Sequence, residues 1–229
     1  MTARYALYAA PAPDTPLWRF GSAVIGYDAA AAIERPFPEG APFDAADWPA
    51  MTEDPRLYGF HGTLKAPFAL AEGAREADLI EAAMLFAERR QAFMVQQLKV
   101  SLLGAFVALV PDGNAEPLDA LAADCVREFD AFRAPLTDAD RARRMRSALS
   151  DRQIAQLEAW GYPHVFADFR FHMTLTGRLE EPRREQVAAA LAEHHRAIAA
   201  PLAVDALCLF RQRDRAERFS ILARFPFEA

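Results

Sequence analysis

The sequence predicts an α+β fold in which one β-α-β-β unit occurs twice, giving a pseudo-two-fold pair of lobes within a single domain of 229 residues. Three observations predict it. The pentapeptide Phe60-His61-Gly62-Thr63-Leu64 returns as Phe171-His172-Met173-Thr174-Leu175. Each copy leads into a helical period and then two strand-like runs. The motif His precedes the end of its unit by 50 residues in the first half and 54 in the second. The units span about 58–111 and about 168–227, with a helical insertion over about 115–161.

Taken in order, Tyr5 to Ala10 reads as an opening strand closed by Pro11 and Pro13. Ala12 to Asp54 is rich in Ala and Pro, with Trp18, Phe20, Phe37 and Trp48 as anchors, and predicts a helix plus extended packing. The first motif strand follows, then a turn at Glu72-Gly73. An amphipathic helix runs from Glu76 to Gln91, with Leu79, Ile80, Ala83, Met84 and Ala87 as its apolar stripe. Strands Val95 to Leu103 and Ala105 to Val110 are split by Gly104. The insertion holds two or three helices and the run Arg141 to Arg146, read first as a solvated helix face and second as a cap over an anionic substrate. After the second motif come a turn at Gly177, a helix from Pro182 to Ile198 with Pro at its first position, and strands Leu202 to Phe210 and Arg218 to Phe225.

Composition narrows the function classes. At 52% hydrophobic and 25% charged residues, the chain has the make-up of a soluble globular protein. A net charge of −6 argues against a large non-specific nucleic-acid footprint, while a local pocket can still attract a small anion. Cys125 and Cys208 lie among apolar residues and read as buried, inert thiols. No run is long enough to span a bilayer and Met1 to Ala10 lacks the charge and length of a secretory signal, so a cytoplasmic protein with no membrane partner is expected.

The repeated pentamer carries the chemistry. On a strand, His and Thr two apart share one face while Phe and Leu share the other. With 7 Thr in 229 residues, a given His has Thr two positions on with odds of roughly 0.03, so two matched copies are a strong signal. Extending the alternation puts Gly59, His61, Thr63 and Lys65 on one face of the first strand, and Asp168, Arg170, His172, Thr174 and Thr176 on one face of the second. Phosphodiester cleavage needs a base for the attacking oxygen and an acid for the leaving one, and two imidazoles can fill both roles near neutral pH. Thr63 and Thr174 can donate to non-bridging oxygens, and Lys65 or Arg170 can offset negative charge, with Thr176 and Tyr8 as further substrate contacts. Which His is acid and which is base stays open. No metal and no cofactor is expected, because His194 and His195 are adjacent on a helix and the two cysteines lie far from both motifs. His164 reads as a turn or packing residue.

These residues resemble the 2H phosphoesterase superfamily, whose members carry two His-x-Ser/Thr motifs on a bilobal, pseudo-symmetric α+β scaffold. Both motifs are present, and the strings Asp54 to Phe68, Trp160 to Pro163 and Phe169 to Thr176 are similar to one bacterial branch described as phosphonate-metabolism proteins. Arg4 to Tyr8 and Phe132 to Leu136 match it as well. The resemblance implies antiparallel sheets lining a central cleft with helices outside. It also implies metal-independent opening of cyclic phosphodiesters, with His61 and His172 as acid and base and Thr63 and Thr174 on the phosphate. The branch implies a small phosphorylated substrate from phosphonate breakdown. The alternatives are an RNA-end 2′,3′-cyclic phosphodiesterase or ligase, disfavoured by the acidic chain, and a non-catalytic nucleotide or RNA sensor.

Overall fold

Leu17, Trp18, Phe20, Val24 and Ile25 are buried on a helix that Thr15 starts and Gly26 ends. Thr15 Oγ1 accepts the Trp18 N–H at 3.3 Å, Pro16 stands in the first turn, and Gly26 takes the left-handed conformation at φ +73°. The same local logic recurs along the computed structural model, which describes residues 3–38, 47–198 and 200–228.

The first 60 residues give strand β1 (Arg4–Ala9), helix α1 (Pro16–Ile25), a small hairpin of β2 (Tyr27–Asp28) and β3 (Ile33–Glu34), and helices α2 (Trp48–Met51) and α3 (Glu53–Tyr58). The first unit contributes β4 (Gly62–Ala69), α4 (Glu76–Ala87), β5 (Phe93–Val95), β6 (Leu98–Leu103) and β7 (Phe106–Pro111). The insertion folds as three helices, α5 (Glu116–Glu128), α6 (Asp138–Arg144) and α7 (Asp151–Trp160). The second unit gives β8 (Met173–Thr174), α8 (Arg183–Ile198), β9 (Leu202–Val204), β10 (Ala206–Gln212) and β11 (Ser220–Pro226).

Seven strands form one antiparallel sheet in the order β11-β10-β1-β4-β8-β7-β6. The two units exchange their hairpins. The first motif strand, β4, sits on the side of β10 and β11 from the second unit, with β1 between, while the second motif strand, β8, borders β7 and β6 from the first. The helices follow: α4 packs on β10 and β11, and α8 on β6 and β7. Each unit therefore crosses over between its helix and its hairpin. The crossing segments pair with each other as β5 and β9, Met94 standing opposite Ala203. This explains why two runs expected to be continuous are broken. Val95 to Leu103 splits at Gln96-Gln97 and Leu202 to Phe210 splits at Asp205, where each chain leaves the β5–β9 ribbon for the main sheet.

The halves meet at β4 and β8, where the recorded cross-strand partners are a single pair, Gly62 opposite Met173. Gly62 is required there by packing. A Cβ on it would lie 2.2 Å from the Phe171 ring, so the first motif leaves room for the aromatic of the second. Phe60 does the equivalent against α1, where a Cβ on Gly21 would also fall 2.2 Å from its ring. Phe60, Leu64, Phe171 and Leu175 are all buried, as the alternation predicts.

The motif strands are shorter than the alternation suggests. Tyr58 closes helix α3, and Gly59 at φ +81° turns the chain before β4 begins at Gly62. In the second copy a 3-10 turn over Phe166–Asp168 precedes β8, which pairs over two residues only. Helix α8 begins one residue beyond Pro182. Part of the stretch between Ala12 and Asp54 lies outside the described residues.

Candidate active site

The seam between the halves sets the geometry of the motifs. One step outward from Gly62–Met173, antiparallel register sets His61 against Thr174 and Thr63 against His172 on one face. Each threonine is thus in register with the histidine of the other motif. Thr63 and His172 line a cavity of about 240 Å³, together with His164, Arg170 and Tyr162.

Both imidazoles are held in the same way. His61 Nδ1 donates to the carbonyl of Gly59 at 2.8 Å, and His172 Nδ1 donates to the carbonyl of Arg170 at 2.8 Å. A proton on Nδ1 leaves Nε2 as the acceptor of the neutral ring. At His61 that nitrogen takes the Thr63 hydroxyl at 3.2 Å. The surroundings of the two rings differ. Tyr8 stacks on His61 with ring centres 3.6 Å apart and planes 17° from parallel, whereas Phe106 lies 5.7 Å from His172 and tilted. Burial beneath Tyr8 and its neighbours lowers the His61 pKa to about 4, with the positive charge of His172 adding to the effect and the bond to Gly59 opposing it. His61 is therefore neutral throughout the physiological range.

Of the other residues picked out by sequence, Arg170 lines this cavity and Tyr8 stacks on His61, whereas Lys65 borders only a second, adjoining cavity and Thr176 borders neither. Tyr8 is buried with its ring on His61, and burial pushes its phenol well above the ordinary value. Arg170 lines the cavity but is exposed, its guanidinium donating to the carbonyls of Phe169 and Ala167. Lys65 and Thr176 occupy the same place in the two copies, four residues after the His, and a bulge turns each away. Between Thr63 and Lys65 two residues of β4 span one step of β1, so Thr63 pairs with Tyr8 and Lys65 with Leu7 on the opposite face. Lys65 then donates to Asp130 at 3.0 Å and to the carbonyl of Val126 at 3.1 Å, tying the end of α5 to the sheet. In the second copy, the N–H groups of Leu175 and Thr176 both donate to the carbonyl of Val107. The Thr176 hydroxyl accepts from the Val107 N–H and donates to Gly177, and the residue is 1% exposed. Counting by twos along an ideal strand could not foresee either bulge.

A second cavity, of about 460 Å³, adjoins the first and shares Ala66, Tyr162 and Val165 with it. Arg4, Arg133, Arg143, Arg144 and Arg215 line it. Helix α6, which carries Arg143 and Arg144, is started by Thr137, whose hydroxyl accepts the Asp140 N–H. Helix α7 is closed by a Ser150–Gln153 capping box at one end and Gly161 in the left-handed conformation at the other, delivering Tyr162 to the boundary between the cavities. The charge run Arg141 to Arg146 is thus divided. Arg141 pairs with Glu158 on the exposed side, while Arg143 and Arg144 face the cavity. The sequence offered the charge run itself as a signal for Arg143 and Arg144, while Arg4 and Arg133 lay only in stretches similar to the family branch. Arg215 had none.

Among the described residues no helix is long and apolar enough to cross a membrane, and no three carboxylate, imidazole or thiol groups gather as a metal would need. Cys125 and Cys208 are buried, and burial pushes both thiols above their ordinary range, Cys208 to about 11.

Comparison with known proteins gives the following. The chain is 38% identical over 231 residues to "Ribose 1,5-bisphosphate phosphokinase PhnN" of Janthinobacterium sp. (strain Marseille), covering 98% of this chain and 51% of that protein. It is 39% identical over 178 residues to the protein of the same name from Laribacter hongkongensis (strain HLHK9), covering 78% and 41%. The chain thus spans about half the length, or less, of the curated relatives it matches. Among solved structures, E. coli LigT complexed with NADP+ aligns at a TM-score of 0.41 and 15% identity, covering 100% of this chain and 99% of that one. LigT complexed with 3′-AMP aligns at 0.43 and 15%, covering 100% of both. A family model described as "Protein of unknown function (DUF1045)" matches residues 63–220, most of the chain and nearly all of both repeat units, and to that family the chain belongs.

Proposed function

We propose that this chain opens small cyclic phosphodiesters, with His61 as general base, His172 as general acid, and the Thr63 and Thr174 hydroxyls on the non-bridging oxygens. The observation that carries the reading is the matched pair of imidazoles, each with its Nδ1–H on the carbonyl two residues back, which makes Nε2 the basic nitrogen of the neutral ring and sets the Thr63 hydroxyl on it at His61. In the proposed step, His61 Nε2 takes a proton from water as the water oxygen attacks phosphorus. The bond from phosphorus to one ring oxygen breaks, and His172 gives that oxygen its proton. The product is an acyclic phosphate monoester with a free hydroxyl, and exchange with solvent resets both rings. One water is consumed. The low pKa of His61 supports the base role for it, since a ring that is neutral at pH 7 has its Nε2 lone pair ready.

The relatives support a phosphorylated-sugar setting for the substrate. Their name assigns them a kinase activity on ribose 1,5-bisphosphate, and this chain corresponds to only about half of each. The two lysines of the chain, Lys65 and Lys99, stand in no Gly-x-x-x-x-Gly-Lys-Ser/Thr phosphate loop, so the reading gives this half a different phosphate reaction in the same chemistry. A cyclic phosphate of ribose, of the kind expected in phosphonate breakdown, fits that setting.

The test is turnover, with EDTA present, of the four nucleoside 2′,3′-cyclic phosphates and ribose 1,2-cyclic 5-phosphate. His61→Ala and His172→Ala should each lower the rate on the preferred substrate by about 10²–10⁴ while leaving its binding largely intact. Normal turnover in either variant would overturn the acid–base assignment.

A further inference from the structure

The larger cavity carries positive charge that the protein leaves uncompensated. Five arginines and Lys65, which is paired with Asp130, line it against two carboxylates, Asp140 and Asp214, in a chain whose net charge is −6. Their partners can be followed one by one. Arg133 is committed to Asp130, at 2.8 and 3.1 Å. Arg143 and Arg215 share Asp140, at 2.7 and 3.1 Å. Among the described residues Arg4 bonds only the neutral amide of Gln212, and it lies over the Phe219 ring. Arg144 has no carboxylate partner among the described residues. Its guanidinium sits 4.6 Å above the Tyr162 ring, and its Nε is buried with no hydrogen-bond partner. Two guanidinium groups with no acid partner among the described residues, crowded by two more, are costly to hold in a partly desolvated cavity. An incoming anion would relieve that cost. Burial and the mutual repulsion of these arginines already hold the Arg4 and Arg144 pKa values below the ordinary one.

Tyr162 connects this charge to the reaction. It lines both cavities and carries Arg144 on its ring, and Tyr8, whose ring stacks on His61, feels the charges of Arg4 and Arg144. Resting on the phosphodiesterase reading above, we propose that the larger cavity binds a phosphate monoester on the same substrate whose cyclic phosphate lies between the histidines, with Arg144 and Arg4 as the specificity-determining cations. The planar guanidinium fork matches a phosphate monoester, which offers several oxygens and up to two negative charges. A volume of about 460 Å³ accommodates a phosphate with part of its sugar. The monoester could stand on a free sugar or on a 5′-phosphorylated nucleotide, and the two sources separate by experiment.

Two matched pairs make the test: ribose 1,2-cyclic phosphate with and without a 5-phosphate, and adenosine 2′,3′-cyclic phosphate with and without a 5′-phosphate. The expected result is a kcat/KM at least about 100-fold higher for the phosphorylated member of one pair, and that pair names the source. Arg144→Met and Arg4→Met should bring the ratio towards one. Arg141→Met, on the exposed side of the same helix, should leave it unchanged. Thermal midpoints show that each variant is folded. Calorimetric binding of D-ribose 5-phosphate reads the cavity without turnover. It should bind the wild type and Arg141→Met, and be weakened at least about tenfold in Arg144→Met. Equal kcat/KM within both pairs would overturn the proposal while leaving the phosphodiesterase standing. Ribose 5-phosphate bound through Arg144, without turnover of any cyclic diester, would support the cavity and sink the phosphodiesterase. Binding insensitive to Arg144→Met would overturn the proposal whether or not turnover is seen.

Discussion

Acid should destabilise this protein through His61, and the size of the effect follows from the site. Stacked beneath Tyr8, the ring has a pKa of about 4 in the folded protein, against 6.5 for the free side chain. The folded form therefore holds the proton less tightly than the unfolded chain. Above pH 6.5 both states are neutral and the group contributes nothing to pH dependence. As the pH falls from 6.5 towards 4 only the unfolded chain gains the proton, so stability is lost across that window. A separation of about 2.5 pH units at about 1.36 kcal/mol each amounts to ~3 kcal/mol. That is a large share of the ~5–15 kcal/mol stability of an ordinary domain. His61→Asn removes the titration while keeping an amide able to donate to Gly59. Urea unfolding of both proteins at pH 7, 6, 5 and 4 should show the wild type losing ~3 kcal/mol more than the variant. His164 and His195, whose pKa values burial also lowers, titrate in both proteins and cancel. Nitrogen chemical shifts should show the Nδ1–H tautomer of His61 persisting to about pH 4. Parallel stability curves, or a His61 midpoint near 6.5, would refute the reasoning and with it the assignment of His61 as a base poised by burial.

Two further outcomes follow from the packing. Gly62→Ala places a Cβ 2.2 Å from the Phe171 ring at the seam, and should cost about 1–3 kcal/mol. Phe171→Leu in the same chain should recover part of that loss, and strict additivity in the double-mutant cycle would show that the ring does not set the seam. Asp130→Ala strands the Lys65 ammonium, which is 4% exposed, and should destabilise by about 3 kcal/mol or more. Lys65→Met removes the charge with its stem retained and should cost less. The reverse order in denaturant midpoints would mean that Lys65 is not a structural tie.

Local signals in the chain carry local consequences. The alternation around each Phe-His-x-Thr-Leu fixes which side chains are buried, because Phe60, Leu64, Phe171 and Leu175 have no other apolar face to occupy. Gly104, at φ +57° in the two-residue turn between β6 and β7, is legible for the same reason, since few other residues adopt that conformation. The helix from Glu76 was readable from its acidic first turn and from Leu79, Ala83 and Ala87, whereas Met84 of the expected stripe is exposed and Phe86 is buried instead. What the sequence determined by itself is therefore the repeated unit, its core face and the paired His and Thr side chains. The tertiary structure alone decided how the units combine. Hairpin exchange depends on which strand edge each hairpin meets, and no residue within the hairpin specifies that partner. The bulges that turn Lys65 and Thr176 away arise from pairing with β1 and β7, so they exist only once those neighbours are in place. The cationic cavity is assembled from Arg4, Arg133, Arg143, Arg144 and Arg215, which come from separate stretches of the sequence. In the linear chain only the run that holds Arg143 and Arg144 suggests more than an ordinary surface charge, as a cap over an anion. Only folding brings these arginines together, with too few carboxylates, around the cavity proposed to bind a phosphate monoester.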